Sequence, residues 1–201
     1  MLDAVMRRVI DPPLNAVARH LVRRGVTADA LTLAGVAASV ATVVAIALGA
    51  YVAALAGLAL SRLLDGLDGP VARCTTPTDR GGYLDSVCDY VFYAGVPFGF
   101  ALAEPETNAL PAAALLASFL LTGVTFLAFA ALAAKRGVET AVRGRKSFFY
   151  AGGLVEGTET IALFVAMLAF PAWFPALAWA GAAACLLTAV FRTLEALRRF
   201  A

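Results

Sequence analysis

Long apolar runs separated by short polar breaks set the pattern of this chain. Runs at residues 31–50, 52–75, 83–103, 109–134, 148–170 and 174–194 each offer roughly the 20 mostly apolar residues that a membrane-spanning helix needs. The breaks fall at 49–51, 75–79, 104–108, 135–146 and 171–175, where Gly, Pro, Thr, Asn and charged residues supply turn and loop chemistry. Ahead of the first run, residues 2–24 interleave apolar and basic positions around Pro12-Pro13, a pattern that predicts a short amphipathic element lying on the inner membrane surface. The expected fold is therefore an all-α polytopic membrane protein, with six transmembrane helices and a short N-terminal amphipathic surface helix. It is expected to form a single domain over residues 1–201, of which 1–25 are a juxtamembrane surface segment.

Composition strengthens that picture. Of 201 residues, 61% are hydrophobic and only 15% charged, against about half and a quarter for a soluble domain. The N-terminus has no apolar core of signal-peptide length before the first run. Lys and Arg are distributed unevenly. They cluster before the first run (Arg7, Arg8, Arg19, Arg23, Arg24), around the second break (Arg62, Arg73, Arg80), in the fourth (Lys135, Arg136, Arg143, Arg145, Lys146) and after the last run (Arg192, Arg198, Arg199). The alternate breaks carry only Glu104 and Glu106. An even number of spans puts every basic cluster, and both termini, on the cytoplasmic side, as the positive-inside tendency requires. The expected location is a cytoplasmic (inner) membrane. Trp173 fits an interfacial anchor. The three cysteines form no CxxC pair and His20 is the only histidine, which argues against zinc or a disulfide framework; small packing residues are the simpler reading.

One window breaks the apolar pattern. Residues 63–91, LLDGLDGPVARCTTPTDRGGYLDSVCDYV, hold five of the fourteen carboxylates. Asp65 and Asp68 lie three apart and Asp85 and Asp89 four apart, so each pair shares a helix face. On two antiparallel neighbouring helices all four can point into one gap at the cytoplasmic end of the bundle. Carboxylates that close stay ionised only beside positive charge. Arg73 and Arg80 are the nearest evident partners in sequence; hard divalent cations are the alternative, because an oxygen-only ligand set suits Mg2+, Mn2+ or Ca2+. Four carboxylates can bridge two metals, the arrangement that clamps attacking and leaving oxygens in phosphoryl displacement. Gly69 stands one helical turn from Asp65 and leaves room for a phosphate or a flat base; Arg73, a further turn along, offers a guanidinium for bidentate phosphate contact.

The run Asp65-x-x-Asp68-Gly69-x-x-Ala72-Arg73, then Gly81-x-x-x-Asp85-x-x-x-Asp89, resembles the signature of the CDP-alcohol phosphotransferase (CDP-alcohol phosphatidyltransferase) family, with all eight positions filled. The resemblance implies metal-dependent transfer of a substituted phosphate from a CDP-linked donor to an alcohol, with release of CMP. It implies two divalent cations, Mg2+ or Mn2+, on Asp65, Asp68, Asp85 and Asp89, with Asp89 also as general base. It further implies CDP binding by Asp65, Asp68, Gly69, Ala72, Arg73 and Gly81, and a homodimer. The expected donor is CDP-diacylglycerol or a similar CDP-lipid, the acceptor a small polar alcohol, and the surroundings membrane lipid; nucleic acid is not an expected partner.

The acceptor is less legible. Arg143, Arg145 and Lys146 in the fourth break could attract a phosphorylated alcohol, and Glu156 and Glu159 in the fifth run could line its pocket or pair with the basic rim. Asp29, following Thr27, is read as part of a helix cap. Two alternatives stay open on the residues alone. One is transfer of a headgroup from a CDP-aminoalcohol to diacylglycerol. The other, from a different class, is a divalent-cation or proton-coupled transporter, since intramembrane acids also line ion paths.

Overall fold

The computed structural model describes residues 3–136 and 155–200. The described chain is all-α: α1 (Asp3–Arg23), α2 (Ala28–Ala47), α3 (Tyr51–Cys74), α4 (Asp79–Ala103), α5 (Pro105–Lys135), α6 (Gly157–Ala169), a single 3-10 turn (Pro171–Trp173) and α7 (Phe174–Phe200). Two helix ends close on glycine in the left-handed region, Gly25 at φ 78° and Gly49 at φ 72°, where a side chain would clash with the backbone. At the second, Gly49 N–H donates to the Ile46 carbonyl at 2.9 Å and Ala50 N–H to the Ala45 carbonyl at 2.8 Å, the paired bonds of a Schellman cap. Threonines start two of the helices that follow: Thr27 Oγ1 accepts from Ala30 N–H at 3.2 Å and Thr78 Oγ1 from Gly81 N–H at 3.1 Å. Asp29 therefore sits in the first turn of α2 rather than capping it.

The expectation of six membrane spans is corrected. Four of the described helices are long and apolar enough to cross a membrane: Ala28–Ala47, Asp79–Ala103, Pro105–Lys135 and Pro171–Phe200. The expected second span is one continuous helix, α3, but Arg62, Asp65, Asp68 and Arg73 divide its apolar character. The expected fifth span covers only the 13 residues of α6 within the described chain, and the stretch 148–154 lies outside the described residues. Alanine and leucine richness counts toward a span wherever it occurs, and so it cannot separate a bilayer helix from a bundle helix that carries a charged end. The four spans identify an integral membrane protein.

α2 packs most extensively on α3 and α4, α5 on α7 and α4, and α1 lies along α3. The central core joins Ile46, Leu58, Phe92, Val96, Phe100, Leu115, Phe164, Met167 and Phe174. Phe100 stacks on Phe174 with ring centroids 4.3 Å apart, and Phe92 meets Phe164 edge-on at 5.5 Å. A second cluster places Leu14, Ala18 and Leu21 of α1 against Leu67 and Val71 of α3. The N-terminal amphipathic segment is thus a helix that buries one face on the back of the acid-bearing helix. Close crossing of α2 and α4 depends on Gly99. A Cβ there would lie 3.0 Å from Ile46 Cβ and 3.1 Å from the Val43 carbonyl oxygen, and that backbone atom cannot swing aside.

The basic helix ends gather at one end of the bundle. The start of α2 meets the end of α3 and the start of α4 there, through Thr32, Asp68, Asp29 and Arg80. The ends of α5 and α7 meet where Arg136 Nη2 donates to the Phe200 carbonyl at 2.7 Å. Arg192 departs from the expected position beyond the last span. It is 6% exposed within α7, and its Nη1 donates to the Thr122 carbonyl of α5 at 2.8 Å. Replacing Gly99 with valine should overpack the α2–α4 crossing and cost about 1–3 kcal/mol. Thermal unfolding in detergent would register this as a lowered midpoint, and an unchanged midpoint would mean the crossing is looser than described.

Candidate metal and nucleotide site

The acid-bearing segments of α3 and α4 meet at the basic end of the bundle. Asp65, Asp68 and Asp85 each turn one carboxylate oxygen inward, and the three atoms lie within 4.8 Å of one another. That set could hold one hard divalent cation. Asp68 is 7% exposed and takes a hydrogen bond of 2.7 Å from Thr32 Oγ1 of α2. The same hydroxyl lies 3.2 Å from the Ala28 carbonyl, so Asp68 is oriented from outside its own helix. Among the described residues one such group is found, and it does not include Asp89.

Asp89, one turn past Asp85 on α4, is engaged differently. Its Oδ1 accepts from Arg62 Nη1 at 3.0 Å, and the same nitrogen lies 3.3 Å from Asp65 Oδ2. Arg62 Nη2 also donates to Ser61 Oγ at 3.2 Å, and Ser61 is tied to Ser39 of α2 at 2.7 Å. The guanidinium carbon sits 3.8 Å over the centre of the Phe92 ring, a cation–π contact that is stronger away from water. Arg62, counted in the sequence only as an inner-side charge, is therefore the cation inside the acidic site. The two arginines expected to partner the acids do other things. Arg73 folds back so that its Nη1 would lie 3.3 Å from a Cβ at Gly69, and Arg80, largely exposed, reaches only to Asp29 at 3.8 Å.

Gly69 follows Asp68 directly and Ala72 is one turn from it, on the final turns of α3. Gly81 sits in the first turn of α4, under the Thr78 cap. A narrow cleft among Thr32, Gly35, Ser39, Arg62, Asp65 and Cys88 runs between α2, α3 and α4. A larger open hollow at the end of α7, among Phe191, Leu194, Glu195, Arg198 and Arg199, includes none of the signature residues. Of the four signature carboxylates, Asp65 lines the cleft.

A model of the CDP-alcohol phosphatidyltransferase family matches residues 25–192. The chain belongs to that family. It is 50% identical over 205 residues to Inner membrane protein YnjF of Escherichia coli (strain K12), covering 99% of this chain and all of that one. Its fold is that of Mycobacterium tuberculosis phosphatidylinositol phosphate synthase. The structure of that enzyme with manganese and citrate aligns with a TM-score of 0.73 at 24% identity, over 92% of this chain and 88% of that one. The structure with CDP-DAG bound aligns with a TM-score of 0.73 at 22% identity, over 91% and 92%. As a CDP-alcohol phosphatidyltransferase, the protein is an enzyme of lipid biosynthesis that moves a phosphatidyl-type group from a CDP-lipid to a polar acceptor. The transporter reading falls with that membership.

The expected acceptor residues divide. Arg143, Arg145 and Lys146 lie outside the described residues. Glu156 and Glu159 form a reciprocal capping box at the start of α6, with Glu156 N–H donating to Glu159 Oε2 at 3.1 Å. Val155 N–H donates to Thr188 Oγ1 of α7 at 3.1 Å and docks this cap on the last helix. A Glu-x-x-Glu box lacks the Ser or Thr that usually announces one, so the sequence pattern hid it. Thr32 was equally hidden, a lone hydroxyl in an apolar run. Arg62 does carry a local signal: it stands three residues before Asp65, on the same helix face.

Thr32→Val removes the donor that orients Asp68 at nearly constant volume. Divalent-cation affinity, measured by Mn2+ titration, should fall about 10–100-fold, as for other groups that hold a metal ligand in place. Unchanged affinity would mean Asp68 needs no such support.

Proposed function

We propose that this enzyme transfers the phosphatidyl group of CDP-diacylglycerol to the hydroxyl of a small polar alcohol and releases CMP. The observation that carries this reading is the convergence of Asp65, Asp68 and Asp85 within 4.8 Å, with Asp89 one turn away beside Arg62, at an end of the bundle where apolar helices meet polar surface. A diacyl tail can stay in lipid there while the nucleotide head reaches the acids. A relative that shares this fold has been crystallised with CDP-DAG and with manganese and citrate; the two structures support a CDP-lipid donor and a metal-dependent reaction here.

In this reading Asp65, Asp68 and Asp85 hold Mg2+ or Mn2+. The bound cation supplies neutralisation of diphosphate charge as CMP departs. Gly69 and Ala72 leave the surface of α3 low enough for the cytidine to lie against it, and Gly81 does the same at the mouth of α4. Arg73 reaches the diphosphate as a fixed, permanently charged donor. Asp89 takes the proton of the acceptor hydroxyl, and Arg62 holds its carboxylate in place. The second cation expected from the resemblance has no separate group of described carboxylates to hold it. Glu156 and Glu159 shape the site indirectly, by fixing where α6 begins, and the basic run containing Arg143, Arg145 and Lys146 supplies charge for the acceptor.

The 50%-identical relative is an inner membrane protein, which supports the same membrane here, and the basic residues gathered at one end of the bundle support a site and both termini turned toward the cytoplasm. The homodimer and the absence of a nucleic-acid partner belong to the same proposal and rest on the resemblance.

The test is CMP release by purified protein in detergent with CDP-diacylglycerol and Mg2+ or Mn2+, across glycerol 3-phosphate, serine, inositol, inositol 1-phosphate and a no-acceptor control. Acceptor-dependent release identifies the alcohol. Asp89→Asn should lower it by about 10²–10⁴-fold, the usual contribution of general base catalysis, and Asp68→Ala should abolish the release that metal stimulates. Release only with CDP-choline or CDP-ethanolamine and diacylglycerol would overturn the choice of donor.

A further inference from the structure

The position between Asp65 and Asp89 is already held by a cation that belongs to the protein. Arg62 Nη1 is 3.0 Å from Asp89 Oδ1 and 3.3 Å from Asp65 Oδ2. An ion bridging the same two carboxylates would have to lie about 2.1 Å from each oxygen. It would then be pressed against Nη1 and repelled by a guanidinium that does not lose its proton in proteins. Nor is Arg62 a loose surface side chain able to step aside at little cost. Its side chain is 13% exposed and its guanidinium carbon sits over the Phe92 ring. Its Nη2 is fixed by Ser61, which is itself fixed by Ser39. Its buried Nε has no hydrogen-bond partner, so the two carboxylates, one hydroxyl and the aromatic face are what retain it.

We infer that Arg62 is a built-in substitute for a second divalent cation, and that this enzyme works with one bound metal ion, on Asp65, Asp68 and Asp85, with Asp89 assigned to Arg62. The inference rests on the metal-site reading above. It makes Arg62 a positioning residue. It neutralises the Asp65–Asp89 side of the site, where a mobile second ion would otherwise be needed, and it holds the Asp89 carboxylate toward the gap between α3 and α4. A guanidinium supplies fixed charge and directed N–H donors, but it cannot take solvent or substrate oxygens into a coordination sphere as a metal does. The acceptor hydroxyl in this enzyme is therefore met by Asp89 without a metal ion beside it.

Mn2+ binding to the purified full-length protein in detergent, counted by electron paramagnetic resonance, tests this apart from turnover. The wild type should bind one Mn2+ per chain, with the signal of an isolated ion. Arg62→Ala frees both carboxylates and should bind two, with the broadening of closely spaced Mn2+. Arg62→Lys, which keeps the charge, should remain at one. Asp89→Asn in the wild-type background should leave both the count and the affinity within about twofold, because Asp89 is not a ligand. Two Mn2+ per wild-type chain would overturn the inference whether or not the Arg62 variants fold. A count of one in folded Arg62→Ala, or a lost ion in Asp89→Asn, would overturn it as well. No Mn2+ at all in the wild type would fail the metal-site reading and this inference together, whereas two would fail this inference alone.

Discussion

Mutual repulsion among carboxylates is the constraint around which the rest of the structure is arranged. Asp65, Asp68 and Asp85 converge within 4.8 Å, and Asp89 joins them through a shared arginine. Like charges at that separation disfavour ionisation, more so where apolar helices exclude water. Each neighbouring element offsets part of that cost. α2 contributes a hydroxyl to Asp68, α3 contributes Arg62, and Phe92 of α4 provides a surface on which the guanidinium lies. α1 covers the opposite face of α3 with Leu14, Ala18 and Leu21, so the acid-bearing helix is braced where it would otherwise meet lipid or water. In the proposed function a divalent cation on Asp65, Asp68 and Asp85 would supply the remaining positive charge.

The same arrangement explains why α3 is the ambiguous helix of the bundle. Its first half is apolar and packs through Ala54 and Leu58 into the aromatic core. Its second half carries the charged residues of the site. A helix that must both bury an apolar face and present acids to a polar cleft cannot also be uniformly greasy. That division makes it useful at a boundary between lipid tails and a nucleotide.

How much of this could be read in the sequence depends on the range of the interaction. The pairing of acids by helix periodicity, Asp65 with Asp68 and Asp85 with Asp89, is local, and three of the four residues converge as expected. Helix boundaries at Gly49 and at Thr78 were legible because glycine and threonine do specific work there. The span count was not, because apolar composition is indifferent to what a helix packs against. Thr32 and the Glu156–Glu159 cap were invisible for a related reason. Their importance comes from partners brought by tertiary contact or from an atypical capping residue. Arg62 is the instructive case. Its spacing from Asp65 is local and regular, but the charge pattern along the chain marks it only as one of the inner-side basic residues, a turn or two within the second run, and only the fold shows it turned into the site.

Chemistry follows from this geometry in a simple order. The bundle brings two helix ends together, the ends bring acids together, and the acids demand cations, one of which the chain provides itself. The central claim is that the α3–α4 acidic group is a metal centre. The direct measurement is anomalous diffraction from crystals of the protein grown with Mn2+. The account predicts a peak within coordination distance of Asp65, Asp68 and Asp85 and none between Asp65 and Asp89. No peak at those three carboxylates, with Mn2+ found elsewhere or not at all, would contradict it.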